Sequence, residues 1–470
     1  MQLGGRLSNV LSDEEIRLIE SGALRILKEM GMEVQNRPLL EILAEFGLPV
    51  DFGNGRVRFP RLFVERFLEE TEKCDWASVR ARVVSSAGIY HGLYHDPFSD
   101  ALVPWTEDRL ALYFRLAASL PHIGTAHMLG CRLPAAALLE PLYERYYCWK
   151  YGAQEGGSIF VSEVCPYLLE IYRIRAEALN LPLQQVFRAG VYLVPPLKLG
   201  QHEAAQVEFF RQHGLKVDIG GGMGTMGATT PATLAGAVTV NLAEQLALRI
   251  VDWAWFGEKR LHLGGSMSVM DMRTAIRPYG RPEMAITSVM TAQLARHLGA
   301  SFAGHGGLSD AKRPSVEAGA QKALNTIPTL LAGGHVWIDA GLLAIDEVCS
   351  PIQMVLDSEW IGVLKHLARP FAVDAESLGL DTILEAGPGG NFLYSIHTAE
   401  HFRGEHWEPF TWSRQMLRPW LEADGRLDSD KAHEWIRSIE QRDPGPPAIG
   451  EFHQKAILQV IEKAREAAGA

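Results

Sequence analysis

The sequence predicts an α/β protein: a (β/α)8 barrel of the TIM type, with an N-terminal helical cap and a C-terminal helical extension. Three observations predict it. From about residue 120, short apolar runs ending in glycine or a polar residue alternate with amphipathic helices, which implies parallel strands. These units recur at similar spacing. No dinucleotide-binding glycine fingerprint follows the first run, which favours the barrel over a doubly wound sheet.

The segment 1–110 is assigned to the cap and a connection. "LSDEEIRLIESGALRILKEMG" sets Ile16, Ile19, Leu24, Ile26 and Leu27 near helical spacing. Ser12 is placed to cap this helix, Glu15 to complete a capping box and Gly31 to stop it. A second helix covers about 37–46, and "VDFGNGRVRFP" reads as a hairpin around Asn54-Gly55. "PRLFVERFLEET" is a third helix that starts at a proline. Residues 88–108, with Tyr90, His91, Tyr94, His95 and Trp105, read as an irregular, aromatic-rich connection.

The barrel is assigned to 111–370. Its runs are "GTAHMLG", "SIFVSE", "VYLVPP", "KVDIGGG", "LHLGGS", "SFAGHGG" and "HVWIDAG". Helices are expected at about 137–151, 166–179, 201–213, 231–256, 282–298, 314–332 and 351–368. Thr230 is read as the cap of the fourth, with Pro231 at its first position. Seven units are one short of eight, and no further run announces itself as the eighth strand. Residues 371–470 form the extension, with "EAGPGGNF", "HTAEHFRGEHWEPFTW" and a charged helix from about 450. They are expected to decorate the barrel or to mediate subunit contact in a homo-oligomer.

Composition narrows the function. The 470 residues are 47% hydrophobic, enough for a large core. Lys and Arg number 45 against 56 Asp and Glu, and the net charge of −11 argues against nucleic acid and acidic membrane surfaces as partners. The most apolar long segment, 234–257, is interrupted by Glu244, Arg249 and Asp252, against a membrane span. No N-terminal signal segment is read. The cysteines (Cys74, Cys131, Cys148, Cys165, Cys349) are scattered and never spaced CxxC, which fits reduced thiols in the cytoplasm.

In such a barrel the C-terminal strand ends face the active site. Those positions are His127, Glu163, Pro195, Asp218, Gly220 to Gly222, His262, His305 and Asp339. His127, His262 and His305 would each come from a separate strand with no HxH or HExxH pair, so no metal is expected. "GGGMGTMG" lacks the Walker lysine. Its glycines serve either tight packing or close approach of a large flat ligand, with Met223 and Met226 as soft contacts. Ser309 lacks the GxSxG turn of a nucleophile. Tyr94, Trp105, Tyr192 and Trp337 are core residues if taken singly. Gathered around one cavity they would cage a quaternary ammonium at ~0.5–2 kcal/mol per contact.

Four stretches carry a family resemblance: "WTEDRLALYFRLAASLPHI", "GGMGTMGATTPATLAGAVTVNLAEQLA", "GHGGLSDAKRPSVEAGAQKAL" and "LARPFAVDAESLGLDTILEAGPGGNFLYSIHTAEHFR". In that order, over nearly the whole chain, they resemble the trimethylamine methyltransferase superfamily. The resemblance implies a barrel enzyme that moves a methyl group from an amine to the cobalt of a cobalamin (corrinoid) held by a separate partner protein. No pyrrolysine is present, which implies the non-pyrrolysine branch acting on quaternary amines such as glycine betaine. The competing readings are a metal-dependent barrel lyase or hydrolase and a non-catalytic subunit that binds the amine or the corrinoid protein. Under the resemblance, His305, Asp310 and Glu163 are the catalytic candidates. Lys312, Tyr94, Trp105, Tyr192, Trp337 and His127 would line the substrate, with Arg132 or Arg273 as alternative holders of a substrate carboxylate. Gly221, Gly222, Met223, Gly306 and Gly307 would face the corrin. Asp310 reads equally as a turn residue and Lys312 as a solvated charge.

Overall fold

The computed structural model describes residues 9–129, 137–159, 161–265, 267–444 and 448–469. At its centre are eight parallel strands: β1 (Val83–Tyr90), β2 (Thr125–Leu129), β3 (Gln154–Glu155), β4 (Gly190–Tyr192), β5 (Asp218–Gly220), β6 (His262–Gly264), β7 (Ser301–Gly306) and β8 (His335–Ala340). Ladders join β6, β7, β8, β1, β2 and β3 in that order, and β4 to β5. A parallel bridge from Ser158 to Gly190 links the β3 segment to β4. Between β5 and β6 no ladder is recorded among the described residues. A cavity of about 300 Å³ lined by Gly220, Gln245, Arg249, Asp252, His262 and Gly264 occupies that seam.

Each strand leads to one outer helix: α1 (Glu107–Ser119), α2 (Glu140–Tyr151), α3 (Cys165–Leu179), α4 (Gln201–Gln212), α5 (Leu234–Phe256), α6 (Pro282–Leu298), α7 (Val316–Leu331) and α8 (Pro351–Leu367). The fold is therefore the expected barrel, and its missing strand is β1. That strand lies inside the segment 1–110 read as cap and connection. Its run "VVSSAGIY" is buried on both faces from Ser85 to Ile89, as a barrel strand must be. Its small polar middle, Ser85 and Ser86, hides the apolar signal. Residues 93–95, also read as irregular, pair with 348–349 on one side and with 102–103 on the other in a small sheet.

One helix start is corrected. Thr233, not Thr230, caps α5, accepting from the Gly236 amide. The Thr225 carbonyl gathers the amides of Ala228, Thr229 and Thr230, so the chain is still turning at Thr230. α5 is long and apolar enough to cross a membrane, yet 67% of its most apolar window is buried in the protein. The cap helix Asp13–Glu29, which has the expected Ser12–Glu15 capping box, packs along α5. The cap strand Met32–Val34 pairs in parallel with Lys198–Leu199, tying cap to barrel. In the extension, Asp428–Gln441 lies against α1 and α8, and Glu451–Ala468 against α2 and α3. Both decorate the barrel from outside.

Candidate active site

Asp339, on β8, is 1% exposed and stands where four side chains from four strands converge. His305 Nε2, on β7, donates to its Oδ2 at 2.7 Å, and the Tyr90 hydroxyl at the end of β1 donates to the same oxygen at 3.3 Å. Trp337 Nε1 donates to Oδ1 at 3.2 Å, and His127 Nε2 lies 3.6 Å from it. Burial alone would raise this carboxyl. The His305 and His127 imidazoles and the Trp337 hydrogen bond outweigh burial and hold it at about 2, so Asp339 is an anion at neutral pH.

A directional chain feeds the same carboxylate. Ser86 Oγ and His127 Nδ1 are 2.7 Å apart, and His127 Nε2 and the Tyr90 hydroxyl 3.2 Å. With the proton on Nε2, serine donates to histidine, histidine to tyrosine, and tyrosine to Asp339. Burial and the Asp339 charge push the Tyr90 phenol well up, so it stays protonated. Two glycines make room for His127. A Cβ on Gly156 would lie 2.4 Å from the histidine Cβ, and one on Gly88 would lie 2.8 Å from the Tyr90 ring.

Further aromatic faces surround this floor. Tyr192 is 48% exposed, and its ring covers Gly220, where a Cβ would come within 2.8 Å. Tyr279 donates to Asp346 Oδ2 at 2.9 Å and accepts from Arg277 at 2.8 Å. Tyr192, Tyr279 and Asp346 are all close enough to Tyr90 to act on its ionisation. Asp346 is raised by its own burial, which outweighs the Tyr279 hydrogen bond.

The strand ends are held by polar groups reaching in from the helices. Lys322 of α7 and Asp357 of α8, both fully buried, form an ion pair at 2.9 Å. Lys322 Nζ also donates to the Gly307 and Asp339 carbonyls at 2.7 and 3.3 Å, and Asp357 accepts from the Gly341 amide at 2.8 Å. This pair fixes the ends of β7 and β8, which carry His305 and Asp339. Glu144 accepts from the Met128 and Gly157 amides, and Glu244 from those of Leu197 and Gly222. Burial raises Glu244 to about 7 in spite of its two amide donors.

Of the residues singled out in the sequence, the fold brings His127, His305, Trp337 and Tyr192 together at this mouth. Tyr94 and Trp105 do not join them. They are buried in an edge-to-face series with Tyr113, at 5.1 and 5.4 Å between centroids. Of the four aromatics expected to form a cage, only Tyr192 and Trp337 lie by Asp339, where Tyr90 and Tyr279 join them. Both Asp310 oxygens are occupied by the amides of Tyr279 and Gly280, at 2.6 and 2.9 Å, so Asp310 shapes the Tyr279 loop. Lys312 is exposed and donates to the Asp310 carbonyl. It borders a separate cavity of about 560 Å³ with Trp105 and Glu347. Glu163 is exposed and bonds to Ser162, whose hydroxyl meets His202. Arg273 is exposed and Arg132 lies outside the described residues. Ser309 is buried and donates to Gln321.

His262 belongs to the opposite end of the barrel. It pairs with Ser301, four residues before His305, or about 13 Å along the strand. Burial and Arg249 lower its imidazole to about 4. The three histidines therefore do not converge, and no group of three metal-ligating side chains is arranged to hold an ion among the described residues.

The glycines expected to face a corrin answer to the protein's own packing. A Cβ on Gly306 would lie 2.5 Å from Thr326 Oγ1, and on Gly307, at φ +72°, 2.4 Å from Ile338. On Gly221 it would strike Gln245, and on Gly222 Pro195. Met223 is half-buried at the edge of the core. Sequence reasoning gave no role to Tyr90, Tyr279 or Asp346, and placed Asp339 at a strand end without one. Only Tyr90 had a usable signal, as the last residue of an overlooked strand.

The family model for trimethylamine methyltransferase (MTTB) matches residues 4–82 and 181–469. The chain belongs to the trimethylamine methyltransferase family. Two relatives extend the likeness along nearly its full length. Trimethylamine methyltransferase MttB of Desulfitobacterium hafniense (strain DSM 10664 / DCB-2) is 24% identical over 97% of this chain and 94% of its own. Glycine betaine methyltransferase of Desulfitobacterium hafniense (strain Y51) is 25% identical over 97% and 98%. Among solved structures, the hydroxylamine MtmB complex superposes with a TM-score of 0.51, covering 99% of this chain and 89% of that one at 10% identity, a likeness of fold. As a member of the trimethylamine methyltransferase family the protein is a methyltransferase, and the Asp339 mouth stands at the barrel end where that fold class places its chemistry.

Proposed function

We propose that this methyltransferase takes a methyl group from a quaternary amine of the betaine class and delivers it to a corrinoid carried by a partner protein in the cytoplasm. The observation that carries the reading is Asp339, a buried anion that accepts from the Tyr90 hydroxyl and the Trp337 indole, with Tyr192 and Tyr279 close to Tyr90. That is the environment an organic cation without N–H groups requires: aromatic surface for its methyls and one charge of opposite sign nearby.

The chemistry explains why the charge is held back. A quaternary nitrogen leaves as a neutral tertiary amine, so no proton donor is needed. The substrate's positive charge vanishes along the reaction, so a carboxylate in direct contact would favour the ground state over the transition state. Asp339 is instead engaged by His305, Tyr90 and Trp337, which spread its charge before substrate arrives. The residues' task is orientation: to hold nitrogen and departing methyl in line with the acceptor. When bound, the partner's reduced cobalt supplies the nucleophile. The packed glycines of this chain are not assigned to hold it.

Incubation of the purified protein with Co(I) cobalamin and a panel of betaines tests the reading. Methylcobalamin, followed by its visible absorbance, is expected only with a quaternary amine. Turnover of tertiary amines alone would overturn the substrate class, and no turnover across a broad methylated-amine panel would overturn the reaction.

A further inference from the structure

We infer that Arg277 holds the carboxylate of a betaine substrate and so selects betaines over quaternary amines that lack an acid group. The inference rests on the quaternary-amine reading above and adds to it the residue that sets the choice among such amines.

Arg277 lies in the loop 270–281 between β6 and α6, at the C-terminal strand ends where Asp339 also stands. Lys312 and Arg273, expected for this task, are both exposed, and Lys312 borders the separate cavity beside Trp105. Arg277 is partly buried. Its guanidinium donates to the Tyr279 hydroxyl at 2.8 Å and lies 5.3 Å from the centroid of that ring. The same hydroxyl donates to Asp346 at 2.9 Å, so the tyrosine stands between the two charges.

Among the described residues Arg277 has no ion-pair partner. Cations nearby in the chain are matched: Arg281 pairs with Asp271 at 3.3 Å and Arg313 with Asp100 at 3.4 Å. Withdrawing part of a guanidinium from water without an anion is costly. Its remaining donors form the planar fork that fits a carboxylate through two parallel hydrogen bonds.

The loop is shaped before any ligand arrives. The Asp271 amide bonds to the Ile276 carbonyl at 2.8 Å, closing a turn just ahead of Arg277. Just beyond it, Asp310 takes the amides of Tyr279 and Gly280. A group positioned in this way has less freedom to lose on binding.

The charges then complement a zwitterion. Asp339 accepts from Tyr90, and Tyr279 stands close to Tyr90 while carrying Arg277 on its own hydroxyl. One anion and one unmatched cation therefore share this mouth. A betaine brings the opposite pair, an ammonium and a carboxylate joined by a short link. A quaternary amine without the carboxylate would meet the guanidinium as a like charge and give it no bond. One residue thereby favours the first substrate and disfavours the second.

Calorimetry of the full-length protein with glycine betaine and with tetramethylammonium tests this without requiring turnover. The wild type is expected to bind betaine about 10- to 100-fold more tightly, the scale of a hydrogen bond to a charged group. Arg277→Gln should bring the two dissociation constants together, and Arg277→Glu should reverse their order. Arg277→Lys, which keeps the charge and loses the fork, should retain part of the preference. A wild type that binds tetramethylammonium as tightly as betaine would overturn the inference and leave the quaternary-amine reading standing. So would variants that keep the full preference, or that weaken both ligands equally, the mark of a residue that only supports Tyr279. A wild type that binds neither ligand would overturn the quaternary-amine reading and this inference with it.

Discussion

The Oδ2 atom of Asp339 accepts a 2.7 Å hydrogen bond from Nε2 of His305 on the adjacent strand, and the same atom lies 3.3 Å from the Tyr90 hydroxyl. Three barrel strands thus converge on one buried oxygen. Asp339 is a carboxylate at neutral pH, held as one by the two imidazoles beside it.

Replacing that charge is the first test. Asp339→Asn keeps the shape and removes the anion. Betaine binding, read by calorimetry, should weaken about 5- to 30-fold, the scale of roughly 1–2 kcal/mol between charges ~8–16 Å apart at an effective dielectric of ~20. An unchanged dissociation constant would remove Asp339 from the substrate site.

The aromatic wall is tested at Tyr192, whose hydroxyl has only a 3.5 Å contact with Ser158. Attraction of a cation to a ring face needs the ring and not the hydroxyl. Tyr192→Phe should therefore bind betaine normally, and Tyr192→Leu about 3- to 30-fold more weakly. Equal losses in both would show that the hydroxyl, not the face, carries the contact.

Stability against pH should show two opposed slopes. His262 is lowered from 6.5 to about 4, so between those values the unfolded chain binds a proton that the folded one refuses, and stability rises with pH. Glu244 is raised from 4.5 to about 7, so over that window the folded chain holds the extra proton and stability falls with pH. Each is worth about 3 kcal/mol, and the two oppose one another between pH 4.5 and 6.5. His262→Gln should expose the Glu244 slope as a melting temperature that declines steadily from pH 4.5 to 7. Parallel wild-type and variant curves would contradict this.

Glycine packing gives a paired test. Gly306→Ala forces a methyl against Thr326 and should cost about 1–3 kcal/mol. Adding Thr326→Ala should recover much of that in a urea melt. If Gly306 were needed mainly for approach of a ligand, the second substitution would restore nothing.

The ion pair beneath the site should behave as buried pairs do. Lys322→Met leaves the buried Asp357 charge without its cation, held only by the neutral donors Gly341, Gln353 and Trp360, and should cost about 3–5 kcal/mol, whereas Lys322→Met with Asp357→Leu should cost less. A double variant as damaged as the sum of both singles would mean the two residues act separately.

The sequence by itself determined the alternation of strand and helix, the ends of most outer helices, and the Ser12–Glu15 cap, because periodicity and capping act over a few neighbouring residues. It also showed the glycine-rich turns and the ordered stretches that carry the family resemblance. Strand β1 stayed hidden because Ser85, Ser86 and Gly88 are chosen for neighbours far along the chain, Gly88 for the ring of Tyr90 and for His127. Only the tertiary structure decided that His127 and His305 share Asp339 while His262 faces the other end. It likewise turned Asp310 toward two backbone amides and moved Tyr94 and Trp105 out of the cage. Those outcomes depend on strand register around the barrel, where a shift of one residue turns a side chain to the opposite face.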